Sequence, residues 1–448
     1  MPSNVPDRVN TLRSLIHLLS EASETVIREW EAEDAQVVGR DGFTKARVPS
    51  RPLFDAQRTL VGACNMCIDI VDDPFNRIYD VNLSATTSRA LQIAIQAGIP
   101  DVLDDVDAGG GVPISEISRR ATIREADLAR ILRLLATKNI VVEVRKDCFA
   151  NSHIGKVFVK NKAAQSMVLL VGSDSTAIWK AFQHLPAAIL ESSSGSTSIP
   201  FQKAVGGLSF FDYLEQENSR EGDVIGASAS EIFSMTMKGY NQHSSPALVT
   251  GFPWASLGAA TVVDIGGGVG SMTLDLASAF PELHFVVQDL PTVVEQARIV
   301  WQTERAGTIE SGHVQLMAHD FFTEQPVKNA EVYLLRWILH NWPEDKCRAI
   351  LRRIAEAMGP RSRVLLAEMI LHPATGSPYL QDAPKPLPAN YGYPQFFKNA
   401  MDISMLMLFN GMERTPEQYS QLAESAGLVL DKVWECCGPL GIIELRKR

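Results

Sequence analysis

The chain has 448 residues, 46% of them hydrophobic, and its 42 basic and 52 acidic residues give a formal net charge of −10. This length predicts two domains with packed cores, and the acidic balance excludes the basic surface expected of a protein that binds nucleic acid or an anionic membrane. We expect a cytoplasmic protein with a small hydrophobic partner, because the chain has no bilayer-spanning apolar run, no basic leader pattern and only six cysteines.

The first part of the chain is predicted to be helical. Apolar residues at helical spacing indicate helices over residues 9–33, 56–71 and 84–103. Residues 113–151 then have the element order of a winged helix, which is used either to bind DNA or as a dimerisation and substrate-lid module. The acidic charge favours the second use, as does an apolar helix face made of Leu128, Ile131, Leu132 and Leu135. We therefore predict a helical N-terminal domain, residues 1–215, that mediates homodimerisation.

A buried strand followed by a glycine loop is the most informative feature of the second part. The apolar run 261–263 ends in Asp264, and Gly266, Gly268 and Gly270 follow at alternate positions. Such glycines let the backbone turn sharply and approach a ligand at the carboxyl end of the strand. A dinucleotide fingerprint needs Gly or Ala where Ser271 stands, so the spacing favours S-adenosylmethionine over NAD. The carboxylate of Asp264 is expected to hold the loop by hydrogen bonds.

A second buried strand, residues 284–289, ends in Asp289 about 20 residues beyond the glycines. At that distance a carboxylate meets the ribose hydroxyls of an adenosyl group. The alternative is that Asp289 caps the helix that follows it. Leu290, the next residue, is assigned to the same cofactor pocket.

Strands alternate with helices from the glycine strand to the end of the chain. Further strands are predicted over residues 314–317, 332–335, 364–368, 428–434 and 442–445. This alternation indicates a doubly wound α/β sheet, which we assign to a Rossmann-like cofactor-binding domain of residues 216–448. Between residues 373 and 394 lies a proline-rich insertion, predicted to be a surface loop that could serve as a lid.

His340 lies just past the carboxyl end of a predicted strand, where sheets of this kind place their ligands. A histidine there can accept a proton from a hydroxyl group as its oxygen attacks a sulfonium methyl group. The alternative is a histidine at a helix start that bonds only to backbone.

Together with the glycine loop, three segments carry a family resemblance: Leu339-His340-Asn341-Trp342, Leu366-Ala367-Glu368 and Asn410-Gly411-Met412-Glu413-Arg414-Thr415. Over essentially its whole length the chain resembles the plant and fungal class I O-methyltransferases of the caffeate type. The resemblance implies that His340 is the base and that Glu368 and Glu413 flank it. It also implies that Asp320 meets the adenine amino group, with Phe322 beside the ring and Trp342 over the cofactor. The implied acceptor pocket is lined by Met237, Met401, Met405 and Met412, and no metal is required.

Two departures from the family pattern predict a more hydrophobic, less charged pocket. Asn341 stands where an Asp usually follows the histidine, and Met412 where a polar residue often precedes the glutamate. The main prediction is transfer of a methyl group to a phenolic or enolic hydroxyl of a hydrophobic natural product.

A second possibility is a pericyclase of the same fold, as found among fungal members of this superfamily. There the bound cofactor is structural or electrostatic and keeps its methyl group, in dehydration or ring closure of a polyketide-derived pyridone. Arg336, which we also assign to the cofactor site, could hydrogen-bond a substrate carbonyl in such an enzyme.

Overall fold

The computed structural model describes residues 5–37, 48–106, 109–191, 199–217 and 227–448. By their contacts the residues form two compact units: a first unit of Met1–Asp72 with Asn241–Arg448, and a second unit of Asp73–Tyr240. The expected boundary at residues 215/216 differs from this grouping, because the N-terminal helices contact the C-terminal part of the chain. The domain division itself stays a prediction. None of the helices described is both long and apolar enough to cross a membrane.

The described helices and strands are numbered separately in chain order. The helices are α1 Val5–Val37, α2 Arg51–Val71, α3 Pro74–Asn82, α4 Ser84–Gln96, α5 Ile99–Val106, α6 Ile114–Ala121, α7 Glu125–Ala136, α8 Lys162–Gly172, α9 Ile178–Glu191, α10 Pro200–Ala204, α11 Phe210–Glu217, α12 Ala229–Gly251, α13 Ser271–Ala279, α14 Pro291–Glu304, α15 Glu344–Ala357, α16 Phe396–Phe409 and α17 Pro416–Ser425. The strands are β1 Val112–Pro113, β2 Val141–Arg145, β3 Cys148–Asn151, β4 Thr261–Ile265, β5 His284–Asp289, β6 Val314–Ala318, β7 Val332–Arg336, β8 Arg363–Glu368, β9 Leu428–Trp434 and β10 Gly441–Lys447.

The first unit is built on a seven-stranded sheet with the order β6-β5-β4-β7-β8-β10-β9. The strands β4 to β8 pair in parallel, and β10 runs antiparallel to β8 and β9. Alternate residues of β4 enter different cores, since Val263 packs with α15 and α17 while Val262 packs with α13 and α14. Apolar side chains on both faces require helices on both faces, which confirms the doubly wound fold.

The direction of strand addition reverses at β4, which pairs with β5 on one side and with β7 on the other. In an open α/β sheet such a reversal opens a crevice at the carboxyl ends of the strands. The glycine loop, residues 266–270, follows β4, and the segment of His340 follows β7. The fold thus brings the two predicted halves of the site to one edge of the sheet.

The second unit contains the predicted winged helix. Its three-stranded sheet has the order β1-β3-β2, and Thr122 joins α6 to α7 in a left-handed conformation with φ 56°. The apolar face of α7 is not a free surface, because Leu128, Leu132 and Leu135 are fully buried in the core of the unit itself. This corrects our reason for expecting a dimer. Exposed apolar side chains lie instead on α3, where Phe75 is 64% exposed.

The proline-rich insertion, residues 373–394, packs against the N-terminal helix pair of the first unit. Leu387 and Tyr391 are buried with Leu15 of α1 and Ala63 of α2. The guanidinium of Arg58 lies 4.2 Å from the centre of the Tyr391 ring. The insertion is therefore a loop that also contributes buried apolar side chains, and its role as a lid stays a prediction.

Candidate active site

The glycine loop has the geometry of a cradle for a ligand. Gly266, Gly268 and Gly270 have φ values of 66°, 60° and 81°, in the left-handed region that favours glycine. A Cβ on Gly267 would lie 2.7 Å from Cγ of Asp264, whereas a Cβ on Gly268 would meet nothing within 4 Å. The loop therefore packs closely on its protein side and leaves space beside Gly268, which a ligand can fill.

Asp289 anchors this loop from the neighbouring strand. The Gly268 N–H donates to its Oδ2 at 2.8 Å, and the Leu290 N–H donates to its Oδ1 at 2.8 Å. Burial raises the pKa of Asp289, while these two N–H bonds oppose the rise. The capping alternative is wrong, because α14 begins at Pro291 with Leu290 as its N-cap and no side-chain cap bond. The contact with ribose stays a prediction, as does the role of Leu290, which is 53% exposed.

Asp264 stabilises the loop by packing rather than by the expected hydrogen bonds. Its Oδ2 accepts a hydrogen bond from the hydroxyl of Thr273, on α13, at 2.6 Å. The loop amide of Gly267 donates to the carbonyl of Gln288 at 3.0 Å. Burial raises the pKa of Asp264 to about 6, with the Thr273 bond and the charge of Arg336 opposing the rise.

Arg336, the last residue of β7, is held inside the first unit. Its guanidinium donates to the side-chain oxygen of Asn241 and, at 3.2 Å, to the hydroxyl of Ser244. It also lies over the ring of Trp337, with its carbon 5.0 Å from the ring centre. Burial lowers the pKa of Arg336 to about 10, although Asp264 opposes this. The group thus stays charged at neutral pH, and its assigned roles toward cofactor and substrate stay predictions.

Three residues predicted to hold the adenine end of the cofactor follow β6 and β7. Oδ1 of the exposed Asp320 accepts the Phe322 N–H at 2.9 Å, which fixes the turn after β6. The rings of Phe322 and Trp342 pack edge to face, with their centres 4.8 Å apart. These half-buried aromatic rings form one apolar surface, which suits a planar base.

His340, Glu368 and Glu413, which we call the base cluster, come together as predicted. His340 lies in a 3₁₀ turn, Leu339–Asn341, and its Nδ1 is 2.8 Å from Oε1 of Glu413. Oε1 of Glu368 accepts the backbone N–H groups of Ile338 at 3.1 Å and Leu339 at 2.9 Å. Because Glu368 is bonded to the turn and Glu413 to the ring, the imidazole is fixed in position. The alternative of a histidine that bonds only to backbone is therefore wrong.

The charges in the base cluster favour a protonated imidazole. Burial alone lowers the pKa of His340, but the charges of Glu413 and Glu368 outweigh burial, so the pKa lies above its usual value. Burial raises the pKa of Glu368 above its usual value; the charge of His340 opposes this rise and that of Glu413 adds to it. A proton taken up by His340 is therefore stabilised by two carboxyl groups without direct access to solvent.

The loop before Glu413 passes very close to the turn of His340. Asn410 ends α16 in the left-handed conformation with φ 53°, and the Met412 N–H donates to the His340 carbonyl at 3.0 Å. A Cβ on Gly411 would lie 2.0 Å from that carbonyl oxygen. We did not single out Gly411 from the sequence, although an Asn-Gly pair after an apolar helix signals a tight turn.

Asp402 and Arg414 are two further residues of this region that the sequence reasoning missed. Oδ1 of Asp402, on α16, accepts the Glu413 N–H at 2.8 Å. Arg414, immediately after Glu413, is fully buried. No spacing rule signals either residue, because both act through bonds to the backbone of loops.

The four methionines assigned to the acceptor pocket lie in different places. Met401 and Met405 belong to α16, where Met405 is buried and Met401 packs against a core of the first unit. Met412 is half-buried beside the turn of His340, and Met237 belongs to the second unit. Their contact with substrate stays a prediction.

The base cluster also offers donor atoms that could hold a cation. One ligand atom from each of its three residues lies within 4.8 Å of the others. The prediction that the site needs no metal therefore stays open to test.

Comparisons with known proteins relate the chain to O-methyltransferases. Residues 182–429 match the family model of the O-methyltransferase domain, and residues 80–161 match that of the O-methyltransferase dimerisation domain. The chain is 36% identical to O-methyltransferase gedA of Aspergillus terreus, over 99% of this chain and 97% of that protein.

Two solved structures are similar to the chain. Mitomycin 7-O-methyltransferase MmcR has a TM-score of 0.65 and 25% identity, with 83% of this chain and 97% of MmcR covered. NcsB1, an O-methyltransferase from neocarzinostatin biosynthesis, was solved with S-adenosyl-L-homocysteine and 1,4-dihydroxy-2-naphthoic acid. It has a TM-score of 0.58 and 25% identity, with 81% of this chain and 96% of NcsB1 covered.

Proposed function

This chain belongs to the S-adenosylmethionine-dependent O-methyltransferase family, and from that premise we propose that it methylates a phenolic or enolic hydroxyl of a hydrophobic natural product. His340 is the general base of this reaction. The observation that carries the proposal is the buried imidazole bonded through Nδ1 to Glu413 at the carboxyl edge of the sheet. That bond leaves Nε2 as the nitrogen that meets the acceptor.

The residues of the first unit fit S-adenosylmethionine. The space beside Gly268 would be filled by a Cβ, so a ligand can approach the backbone there. Asp289 would receive the ribose hydroxyls, and the rings of Phe322 and Trp342 would receive the adenine. When bound, the cofactor supplies an electrophilic methyl group on a sulfonium centre. Arg336, at the end of β7, would lie near its amino-acid end, beside the glycine loop that the buried Asp264 supports.

We infer a hydrophobic acceptor because apolar side chains lie near the base cluster. Met412 lies on the loop that packs against the turn of His340, and α16 brings Met401 and Met405 to the same unit. The ring of Trp337 lies parallel to that of His340, at an angle of 15° and a centre distance of 6.4 Å. A flat aromatic acceptor could pack against the ring of Trp337, in line with the naphthoic acid bound by NcsB1.

The proton path uses groups of this chain. The acceptor O–H would give its proton to Nε2 of His340 as its oxygen takes the methyl group, and the methyl–sulfur bond would break to leave S-adenosylhomocysteine. Nδ1–H donates to Oε1 of Glu413 throughout, so the imidazole keeps the tautomer that accepts at Nε2. The charges of Glu413 and Glu368 stabilise the imidazolium that forms, which favours transfer of the proton.

A product assay tests this function. Purified protein is incubated with S-adenosylmethionine and a panel of phenols, anthraquinones and pyridones, and S-adenosylhomocysteine and product mass are measured together. Methyl transfer gives one S-adenosylhomocysteine per product, which is heavier by one CH₂. Isomerisation or loss of water with unchanged cofactor would contradict methyl transfer and support a pericyclase of the same fold.

The role of His340 is tested by His340→Ala. We expect kcat to fall at least about a thousandfold, near the middle of the range for a general base, with cofactor affinity unchanged. His284→Ala is a matched control, because His284 is exposed at the amino end of β5, at the opposite edge of the same sheet. A His340→Ala enzyme with more than a tenth of the wild-type kcat would exclude His340 as the base.

We also propose that the protein is a homodimer. The match of residues 80–161 to the dimerisation domain supports this, and so does the exposed apolar side of α3. Sedimentation velocity at micromolar concentration should give twice the mass of the chain. A monomer at that concentration would contradict the proposal.

A further inference from the structure

Arg414 places a cation in the interior of the first unit. It is fully buried, and its guanidinium contacts four groups. Nη1 donates to the carbonyl oxygens of Leu339 and Met412, at 3.3 Å each. Nη2 donates to a carboxylate oxygen of Glu344 at 3.3 Å and lies 3.4 Å from the sulfur of Cys347.

The two carbonyl groups belong to the residues that immediately precede the catalytic pair. Leu339 precedes His340, and Met412 precedes Glu413. One nitrogen of Arg414 therefore joins the backbone of the turn that carries the base to the backbone of the loop that carries its partner. A planar guanidinium can hold both carbonyl groups in a fixed geometry, which a lysine ammonium on a flexible stem cannot do.

The main chain of Arg414 reaches the third member of the base cluster. The Leu371 N–H donates to the Arg414 carbonyl at 3.0 Å, and Ile370 pairs with Arg414 in a parallel bridge. Both residues follow β8, which ends in Glu368. Arg414 is thus bonded to the segments of all three residues, although its side chain bonds to none of their side chains in the described structure.

We propose that Arg414 is the positioning residue of the base cluster, whose bonds to the Leu339 and Met412 carbonyl groups set the contact between His340 and Glu413. This proposal rests on His340 being the base. Arg414 acts through the backbone, so its effect falls on kcat rather than on cofactor binding. A displacement of about 1 Å between catalytic groups can cost on the order of a hundredfold in rate.

Charge and positioning have opposite effects on His340, which makes them separable. The positive charge of Arg414 disfavours the imidazolium, so removing that charge alone would raise the pKa of His340. Loss of the contact with Glu413 would lower the pKa of His340, because it removes the negative partner. Glu368 is the other charged group that faces the ring. The direction of the change therefore distinguishes the two mechanisms.

The test compares Arg414→Lys with the wild-type protein. We expect kcat to fall about thirtyfold, the KM for S-adenosylmethionine to change less than threefold, and the pKa of His340 to fall. That pKa is followed by NMR of protein with ¹³C-labelled histidine, and the His340→Ala spectrum assigns the signal. Lysine keeps the charge but not the planar, fixed N–H groups of Nη1, so a wild-type kcat and pKa in Arg414→Lys would overturn the proposal.

Glu344→Ala keeps the test valid if the Arg414 variants do not fold. The side chain of Glu344 is 48% exposed, so the protein should tolerate its loss. The substitution removes the carboxylate partner of Nη2 of Arg414. We expect a two- to threefold fall in kcat. The pKa of His340 does not discriminate in this variant, because loss of the Glu344 carboxylate lowers that pKa by charge alone. An unchanged kcat, with Arg414→Lys unfolded, would also overturn the proposal.

Arg363→Lys is the matched control. Arg363 begins β8 and pairs with Glu444, so it lies at the opposite end of the strand that carries Glu368. Its kcat and the pKa of His340 should match the wild type. If wild-type protein makes no S-adenosylhomocysteine, the proposed function fails, whereas the NMR titration still decides whether Arg414 sets the contact.

Discussion

The glycine loop and the base cluster lie at the same edge of one sheet, but their contacts join residues at very different separations in the chain. At the loop, Asp264 bonds to Thr273, 9 residues away, and Gly268 bonds to Asp289, 21 residues away. In the base cluster, His340 bonds to Glu413, 73 residues away. The proposed cofactor side of the site is thus formed by consecutive strand-helix units, whereas the proposed catalytic side depends on the packing of two loops against the end of β8.

The largest expected effects come from two glycine substitutions that separate these sides. Gly411→Ala places a Cβ against the His340 carbonyl, so the loop or the turn must move. We expect kcat to fall at least about a hundredfold, with cofactor affinity within threefold of wild type. Stopped-flow single turnovers and calorimetry with S-adenosylhomocysteine measure the two quantities.

Gly268→Ala should have the opposite effect, with cofactor affinity lost and the base cluster unchanged. Its Cβ would meet no protein atom but would enter the cofactor space, with φ at 60° adding a strain of about 1 kcal/mol. We expect cofactor binding to be lost while the NMR titration of His340 stays at its wild-type pKa. Equal loss of affinity in both variants would mean that the two sides of the site do not behave separately.

The next effect in size concerns Asp289. Asp289→Ala should weaken S-adenosylhomocysteine binding about thirtyfold, since hydrogen bonds to a charged carboxylate contribute about 2 kcal/mol. This loss combines the loop anchor with the ribose contact. To separate these two contributions, the affinities of wild type and Asp289→Ala are measured for 5′-methylthioadenosine and for its 2′-deoxy analogue. If Asp289 contacts the ribose, the loss of affinity from Asp289→Ala and the loss from removing the 2′-hydroxyl are not additive. Fully additive losses would mean that Asp289 acts only as the loop anchor. As a control, Asp431→Ala, at an exposed position, should bind S-adenosylhomocysteine with wild-type affinity.

The sequence was sufficient to predict that the glycine loop and Asp289 lie together, because each signal there is local. The alternate glycines and the acid at the end of β5 lie on adjacent parallel strands, and parallel strands end at the same edge. The precise bonds were not predictable, since Asp264 and Thr273 meet only after α13 has packed against the sheet.

The catalytic side was predicted from family resemblance rather than from spacing. No periodicity relates His340 to Glu413, and their contact depends on Gly411 passing the His340 carbonyl and on Arg414 holding both loops. The burial of α7 was missed for a related reason. The sequence pattern of an apolar helix face is the same whether the face packs inside its own unit or against a partner protein.

A smaller effect tests the charges of the base cluster. Glu368→Gln keeps acceptors for the Ile338 and Leu339 N–H groups but removes a negative charge that raises the pKa of His340. The base must be neutral, so activity is lost as pH falls through that pKa, which lies above the ordinary value. In the variant the acid limb of kcat/KM should move to lower pH, and kcat at pH 8 should fall about tenfold because the imidazolium is less stabilised.

The pH profile from 5.5 to 9 provides the measurement. Glu331→Gln is the control, because Glu331 is exposed beside the amino end of β7. An acid limb at the wild-type position in Glu368→Gln would mean that Glu413 alone sets the pKa of His340.

The smallest expected effect is on stability and concerns the buried Asp264. Its pKa is raised from 3.8 to about 6 by burial, so between these values the folded state holds a proton that the unfolded state has released. Stability must then fall as pH rises through this window, by at most about 3 kcal/mol for a shift of about two units. Asp264→Asn stays neutral and can still accept the Thr273 hydrogen bond. It should match wild type at pH 4 and exceed it by about 1 to 2 kcal/mol at pH 7.5, as measured by urea unfolding at both pH values, with the exposed Asp431→Asn as control. If the difference in the free energy of unfolding between Asp264→Asn and wild type were the same at pH 4 and pH 7.5, the buried charge of Asp264 would not destabilise the folded protein.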